Sequence, residues 1–235
     1  MPRAALGSLC LHLANPTKKL QKFARDVAKG LSELLNKTVT DGVRLKVLLN
    51  DRQQAVVGYE VNQLKPSGAP VPLRLRGAKE KFALWVIFTF DLDPSSGKLR
   101  TVKNHFELQH ADAEMIISYD YNREPTNKYS DPHIHLPGKA RAIKRMLKVI
   151  GREKDKIEDL HFPVGSALFR LCLEDLIEFL ILEGIVPGRP GWEVALKDSR
   201  DAFHKIQAGA VAREWPETVA KELVATGWDV AAPAV

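Results

Sequence analysis

The chain contains 235 residues, with 35 lysines and arginines against 29 aspartates and glutamates, for a formal net charge of +6. Hydrophobic residues make up 45% of the sequence, which excludes disorder over most of its length, because apolar burial can offset the entropy of ordering. No segment has the roughly 18–20 uninterrupted apolar residues of a membrane span. Cys10 and Cys172 belong to no metal-binding or paired-cysteine pattern. We therefore expect a globular, cytoplasmic protein with reduced thiols and no membrane association.

The first predicted element is an amphipathic helix over residues 16–36. Asn15 and Pro16 provide an N-cap followed by a first-turn proline. Apolar residues then recur at helical spacing, namely Leu20, Phe23, Ala24, Val27, Leu31 and Leu34. Basic residues occupy much of the remaining surface, and a basic helix face is usually solvated. We expect this helix to lie with its apolar face on a core.

The middle of the chain predicts a sheet of about six strands. Apolar residues alternate with polar ones, or form short aromatic and β-branched runs, in segments 43–49, 55–64, 82–90, 99–108, 114–121 and 133–136. Turn residues separate these segments, as in Asp93-Pro94-Ser95-Ser96-Gly97. Connections this short favour antiparallel neighbours, because parallel strands need long crossovers.

After Gly138 the patterns become helical, over residues 139–150, 171–183, 192–213 and 216–226. Strands followed by helices indicate an α+β fold: a mostly antiparallel sheet with an N-terminal helix and a C-terminal helical extension. We expect residues 1–165 to form the helix and sheet core, and residues 166–235 to form the extension, packed on the same core. The core of this helical lid is expected to include Trp192, Trp215 and Trp228.

The densest group of polar and aromatic residues runs from Tyr119 to Arg123 and continues, after a loop, at His133-Ile134-His135. Alternation in a strand places Tyr119, Tyr121 and Arg123 on one face. It likewise places His133 and His135 on one face, about 6–7 Å apart at their Cα atoms. Because imidazole titrates near neutrality, such a pair can supply both members of an acid/base couple without a metal.

Three interpretations of this group remain open from the residues. In the leading one, His133, His135, Tyr121 and His161 carry out metal-independent cleavage of RNA, with no cofactor, and Arg123 and Arg170 contact the phosphate. In the second, the His-x-His pair supplies two metal ligands, and His161 or Asp120 supplies the third. In the third, a histidine and the tyrosines only pack within the sheet.

A basic segment follows the histidine pair directly. Residues 139–156 contain eight basic and two acidic residues, an excess equal to the net charge of the whole chain. The residues that we expect to contact a phosphate backbone are Lys139, Arg141, Lys144, Arg145 and Lys148. A solvated surface helix explains the same pattern. So does a non-catalytic module that binds nucleic acid or an acidic protein partner.

The order of these motifs resembles the TumE-type toxins of bacterial toxin–antitoxin pairs. The resemblance covers residues 114–182 and rests on Tyr119-Asp120-Tyr121-Asn122, on His133-Ile134-His135, on an aromatic strand around Phe162 and on the acidic helix from Leu173 to Phe179. The Tyr-Asp-Tyr-Asn motif of this chain differs from the Tyr-Asp-Asn motif of that family. The resemblance implies a ribonuclease-like toxin whose partner is an antitoxin.

Overall fold

The computed structural model describes residues 16–73, 81–110, 112–123, 132–136, 141–152 and 171–231. The helices are α1 (Pro16–Thr38), α2 (Arg141–Val149), α3 (Leu173–Leu182), α4 (Trp192–Glu214) and α5 (Pro216–Ala225). The strands are β1 (Leu45–Leu49), β2 (Ala55–Tyr59), β3 (Val71–Pro72), β4 (Phe82–Leu92), β5 (Leu99–His110), β6 (Met115–Asn122) and β7 (His133–His135). The predicted α+β class is confirmed. None of the helices in these residues is long and apolar enough to cross a membrane.

The strands form one antiparallel sheet in the order β1-β2-β4-β5-β6-β7, with β3 also paired to β4. The mostly antiparallel arrangement agrees with the prediction from short connections. β3 was not predicted, because two residues after a loop rich in proline and glycine carry no periodicity.

The second strand is shorter than predicted, since β2 ends at Tyr59 rather than near Leu64. Glu60 follows at a positive φ of 54°, which breaks the extended backbone. The Asn62 side chain then accepts hydrogen bonds from the backbone N–H groups of Leu64 at 2.9 Å and Lys65 at 3.0 Å. This Asx turn competes with strand pairing and leaves Leu64 94% exposed.

Alternation along the central strands gives the sheet two different faces. In β4, every second residue from Phe82 to Phe90 is buried. The residues between them, Ala83, Trp85, Ile87 and Thr89, are partly exposed. We call the first side the core face and the second the open face. Since the open face needs no apolar side chains, it can carry polar groups on the neighbouring strands.

The described residues divide into two compact units. The first contains residues 16–33, 42–73, 81–110, 112–123, 132–136 and 141–142, and the second contains residues 34–41, 143–152 and 171–231. The second unit takes in the last turn of α1. The division predicted at residue 165 stays a prediction, because residues 153–170 lie outside the described part of the chain.

The helices of the second unit differ in burial. In α3, Leu173, Leu176, Ile177 and Leu180 are buried, as the apolar pattern predicts. By contrast, α4 buries Leu196 alone and α5 buries no residue. The expectation of a tryptophan-rich lid core is wrong for Trp215 and Trp228, which are 53% and 68% exposed. Few described side chains of these last two helices reach a core.

Candidate metal centre

Three rows of side chains cross the open face, because directly paired residues of antiparallel strands share a face. The first row consists of Thr89, Lys103 and Asn122. The second row consists of Ile87, His105, Asp120 and His133. The third row consists of Trp85, Glu107, Ser118 and His135. The register therefore brings three histidines around one aspartate.

Asp120 is the centre of this group. Its Oδ1 lies 2.7 Å from Nδ1 of His105, and its Oδ2 accepts a hydrogen bond from Oγ of Ser118 at 3.1 Å. On the other side of His105, Nε2 lies 3.5 Å from Oε2 of Glu107. The Asp120 side chain is 27% exposed, so it is held in place while part of it reaches solvent.

The charges of this pair follow from its hydrogen bonds. Burial alone would lower the pKa of His105, but hydrogen bonds and charge interactions with Asp120 and Glu107 outweigh it and raise the pKa to about 9. Burial would raise the pKa of Asp120, but its hydrogen bond with His105 and the charge of that ring lower it below the ordinary value. In the metal-free protein at neutral pH, the pair is therefore an imidazolium and a carboxylate.

The two histidines of β7 lie beside this pair. Their rings are 4.8 Å apart between centroids and nearly perpendicular, at 81°. His135 Nε2 lies 3.6 Å from Asp120 Oδ2, and the His135 side chain is 53% exposed. The expected placement of His133 and His135 on one strand face thus agrees with the register of β6 and β7.

Asp120, His133 and His135 form a group that could hold a metal ion. Each offers one ligand atom, and these atoms all lie within 4.8 Å of one another. Side-chain rotation can close such a set to the ~2.0–2.2 Å bonds that zinc makes with imidazole and carboxylate ligands. Two histidines and one carboxylate also leave coordination positions for water or substrate, as catalytic zinc and iron sites do. His105 and Ser118 would then orient the carboxylate as outer-shell partners.

A cavity of about 310 Å³ adjoins this group on the same sheet. Asp120 and His133 form part of its wall, so the cavity reaches two of the three candidate ligands directly. The first row, comprising Thr89, Lys103 and Asn122, forms another part. The arrangement can therefore place a small molecule beside a bound metal ion.

The other predicted site residues do not all meet here. Tyr121 borders the cavity, but it pairs with Asn104, so alternation places its side chain on the core face, opposite the two histidines. The Arg123 side chain donates through Nε to the carbonyl oxygen of Thr101 at 3.0 Å. His161, Arg170 and Lys139 lie outside the described residues.

The basic helix has the amphipathic form that the spacing predicts. Arg141, Lys144 and Lys148 are exposed and Arg145 is partly exposed, while Ile143, Met146 and Leu147 are buried. Arg141 belongs to the first unit, together with the histidine pair, whereas the other three basic residues belong to the second unit. Their role as phosphate contacts stays a prediction.

Sequence reasoning missed His105 and Glu107. Both lie at alternate positions of β5, where polar residues occupy the open face. The hairpin pairs His105 with Asp120, but the register shifts between Leu108 and Gln109, next to the turn. Counting back from the turn without this bulge would place His105 opposite Tyr119, so neither a motif nor the loop length reveals the contact.

Comparisons with protein-family models, with curated proteins and with solved structures find no match for this chain.

Proposed function

We propose that this chain binds a divalent transition-metal ion through Asp120, His133 and His135 and uses it for hydrolysis. The observation that carries the proposal is the convergence of two imidazoles and one carboxylate within 4.8 Å, beside a cavity. Such a ligand set suits zinc and leaves a position for water. A zinc-bound water ionises near pH 7, which supplies a nucleophile at neutral pH.

Metal binding by the purified full-length protein tests this proposal. After removal of metals with a chelator, we expect one equivalent of zinc to bind in isothermal titration calorimetry. His135→Ala should weaken zinc binding by more than the 10–100-fold that loss of an outer-shell partner costs. The matched control is His204→Ala, a partly exposed histidine of α4 that lies outside the candidate centre, and it should bind zinc like the wild type. Absence of stoichiometric binding of zinc, manganese, iron and cobalt to the wild type would refute the proposal.

The second candidate function is metal-independent cleavage of RNA by the same histidines. It is favoured by the 4.8 Å separation of the His133 and His135 rings and by the contact of His135 with Asp120, which can hold an imidazole for proton transfer. A toxin of this kind would take an acidic antitoxin as partner. A cytoplasmic location of this chain is part of the same proposal.

RNA cleavage in the presence of excess chelator separates the two candidates. Activity that survives the chelator and is lost in the His133→Ala/His135→Ala double variant would support the metal-free mechanism. Activity that returns only when metal is added back would support the metal centre. RNA binding without cleavage under either condition would favour a non-catalytic module that uses the exposed basic residues of α2.

A further inference from the structure

We propose that the cavity beside the metal centre binds the phosphoryl group of a phosphate ester, with Lys103 as its cationic contact. The inference rests on the proposed hydrolytic function and names the substrate class. It is carried by the arrangement of charge around the cavity, where a lysine lies close to the candidate metal ligands.

The sheet fixes the position of Lys103. It lies two residues before His105 in β5, so the two share the open face and their Cα atoms are about 7 Å apart. Lys103 is paired with Asn122, which is two residues after Asp120 in β6. The first row, which contains Lys103, therefore runs alongside the second row, which contains Asp120 and His133. An anion with oxygens spread over a few ångströms can reach both rows.

The charge of Lys103 is available to a ligand. Its side chain is exposed and makes no hydrogen bond or ion pair with any residue in the described part of the chain. The nearest acidic group in the neighbouring row, Asp120, is already held by His105 and Ser118. A lysine ammonium beside a metal ion is a pairing that suits phosphate, because both cations can share its oxygens.

The rest of the wall offers neutral polar and apolar groups that suit the organic part of an ester. Thr89 and Asn122 offer neutral hydrogen-bonding groups on either side of Lys103. Ile87 supplies an apolar surface, and its Cδ1 lies over Gly58, where a Cβ atom would come within 2.4 Å of it. A volume of about 310 Å³ is at the small end of ligand pockets, which span roughly 300–1,000 Å³. The cavity thus fits a phosphoryl group with a small organic substituent.

The reaction balances with water as the only co-reactant. The oxygen of the water forms a bond to phosphorus, and the ester P–O bond breaks. One proton of the water ends on the leaving alcohol, and the remaining hydroxyl becomes part of the phosphate. Lys103 would neutralise charge on the phosphoryl oxygens as the ester bond breaks.

Lys103→Gln in the zinc-loaded full chain tests the inference. The matched control is Lys46→Gln, because Lys46 is exposed on the same sheet face but does not line the cavity. We expect Lys103→Gln to weaken binding of inorganic phosphate at least tenfold in calorimetry and to leave zinc affinity unchanged. Lys46→Gln should change neither quantity.

Two substrates distinguish the source of the phosphoryl group. A mononucleotide is a phosphate monoester, whereas the linkages of a single-stranded RNA oligonucleotide are phosphodiesters, and the one whose hydrolysis falls in Lys103→Gln is the source. Unchanged phosphate binding in Lys103→Gln, or no phosphate binding by zinc-loaded wild type, would overturn the inference and leave the metal centre intact. Failure of the wild type to bind zinc would overturn the proposed function instead.

Discussion

Asp93 organises the turn between β4 and β5 with a single carboxylate oxygen. Its Oδ1 accepts hydrogen bonds from Oγ of Ser95 at 2.7 Å and from the backbone N–H and Oγ of Ser96, both at 2.8 Å. These bonds favour the ionised form and hold the pKa of Asp93 well below its ordinary value. Gly97 completes the turn at a φ of +60°, a conformation that suits glycine.

The lowered pKa of Asp93 predicts how the turn responds to acid. Because the folded pKa lies below the unfolded one, ionised Asp93 contributes stability that is fully present above about pH 4 and is lost as pH falls through the folded pKa. Carbon-detected NMR of the side-chain carboxyl should therefore give a titration midpoint for Asp93 that is lower in the folded protein than in the unfolded chain. The same residue in a urea-unfolded peptide serves as the control. A folded midpoint equal to that of the peptide would contradict the prediction.

At the scale of residues, part of the candidate site could be predicted from the sequence. The spacing of His133 and His135 predicted their common face, and Asp120 was one of two candidates for the third ligand, beside His161. Proximity in sequence could not show that Tyr121 lies on the core face. It also could not bring in His105, which is 15 positions from Asp120. Both depend on how β5 and β6 pair.

Among the elements, α3 and α4 are joined by a network of charged groups. Arg200 donates through Nε to Oδ1 of Asp175 at 3.0 Å and through Nη2 to Oε2 of Glu178 at 2.6 Å. Asp175 also accepts the backbone N–H of Cys172 at 2.9 Å, so the same carboxylate caps the start of α3. Ser199 donates to Glu174, which is 4% exposed. One arginine therefore balances two carboxylates at this helix pair.

Replacing Arg200 by methionine should lower the free energy of unfolding by about 1–2 kcal/mol, since two partly buried carboxylates lose their cation. This expected loss of stability is smaller than for a fully buried ion pair, because Glu178 is 38% exposed and solvent screens its charge. The measurement is urea denaturation followed by circular dichroism. Lys197→Met is the control, as its pair with Asp201 is 75% and 54% exposed, and it should change stability by less than about 0.5 kcal/mol. Equal effects of the two variants would contradict this account.

The sequence could predict the elements in which a periodic pattern of apolar residues extends over many positions. The alternation of β4 and the apolar stripe of α1 each extend over many residues, so both elements follow from pattern alone. β2 ended early because a local Asx turn at Asn62 replaced the ladder. The last helices were predicted in place, but their exposure was not, because burial depends on what lies against them.

For the whole molecule, the division into units does not follow chain order. The segment from Leu34 to Asp41 is grouped with the described residues from Ile143 onward, although it directly follows the first unit's part of α1. Arg189 links it to the loop after α3. Its backbone N–H donates to the carbonyl oxygen of Thr38 at 3.1 Å, and its guanidinium donates to that of Thr40 at 3.0 Å and to the carboxylate of Asp41.

Arg189→Ala should loosen this segment without disturbing the first part of α1. The variant loses two guanidinium hydrogen bonds, which we expect to cost about 1 kcal/mol because the Arg189 side chain is 35% exposed. Hydrogen exchange followed by mass spectrometry should show faster exchange at Val39 and Thr40, whose N–H groups donate to the carbonyl oxygen of Leu35. Peptides from residues 20–33 should exchange as in the wild type. Equal acceleration along all of α1 would mean that the helix opens as one element and that Arg189 does not hold its end separately.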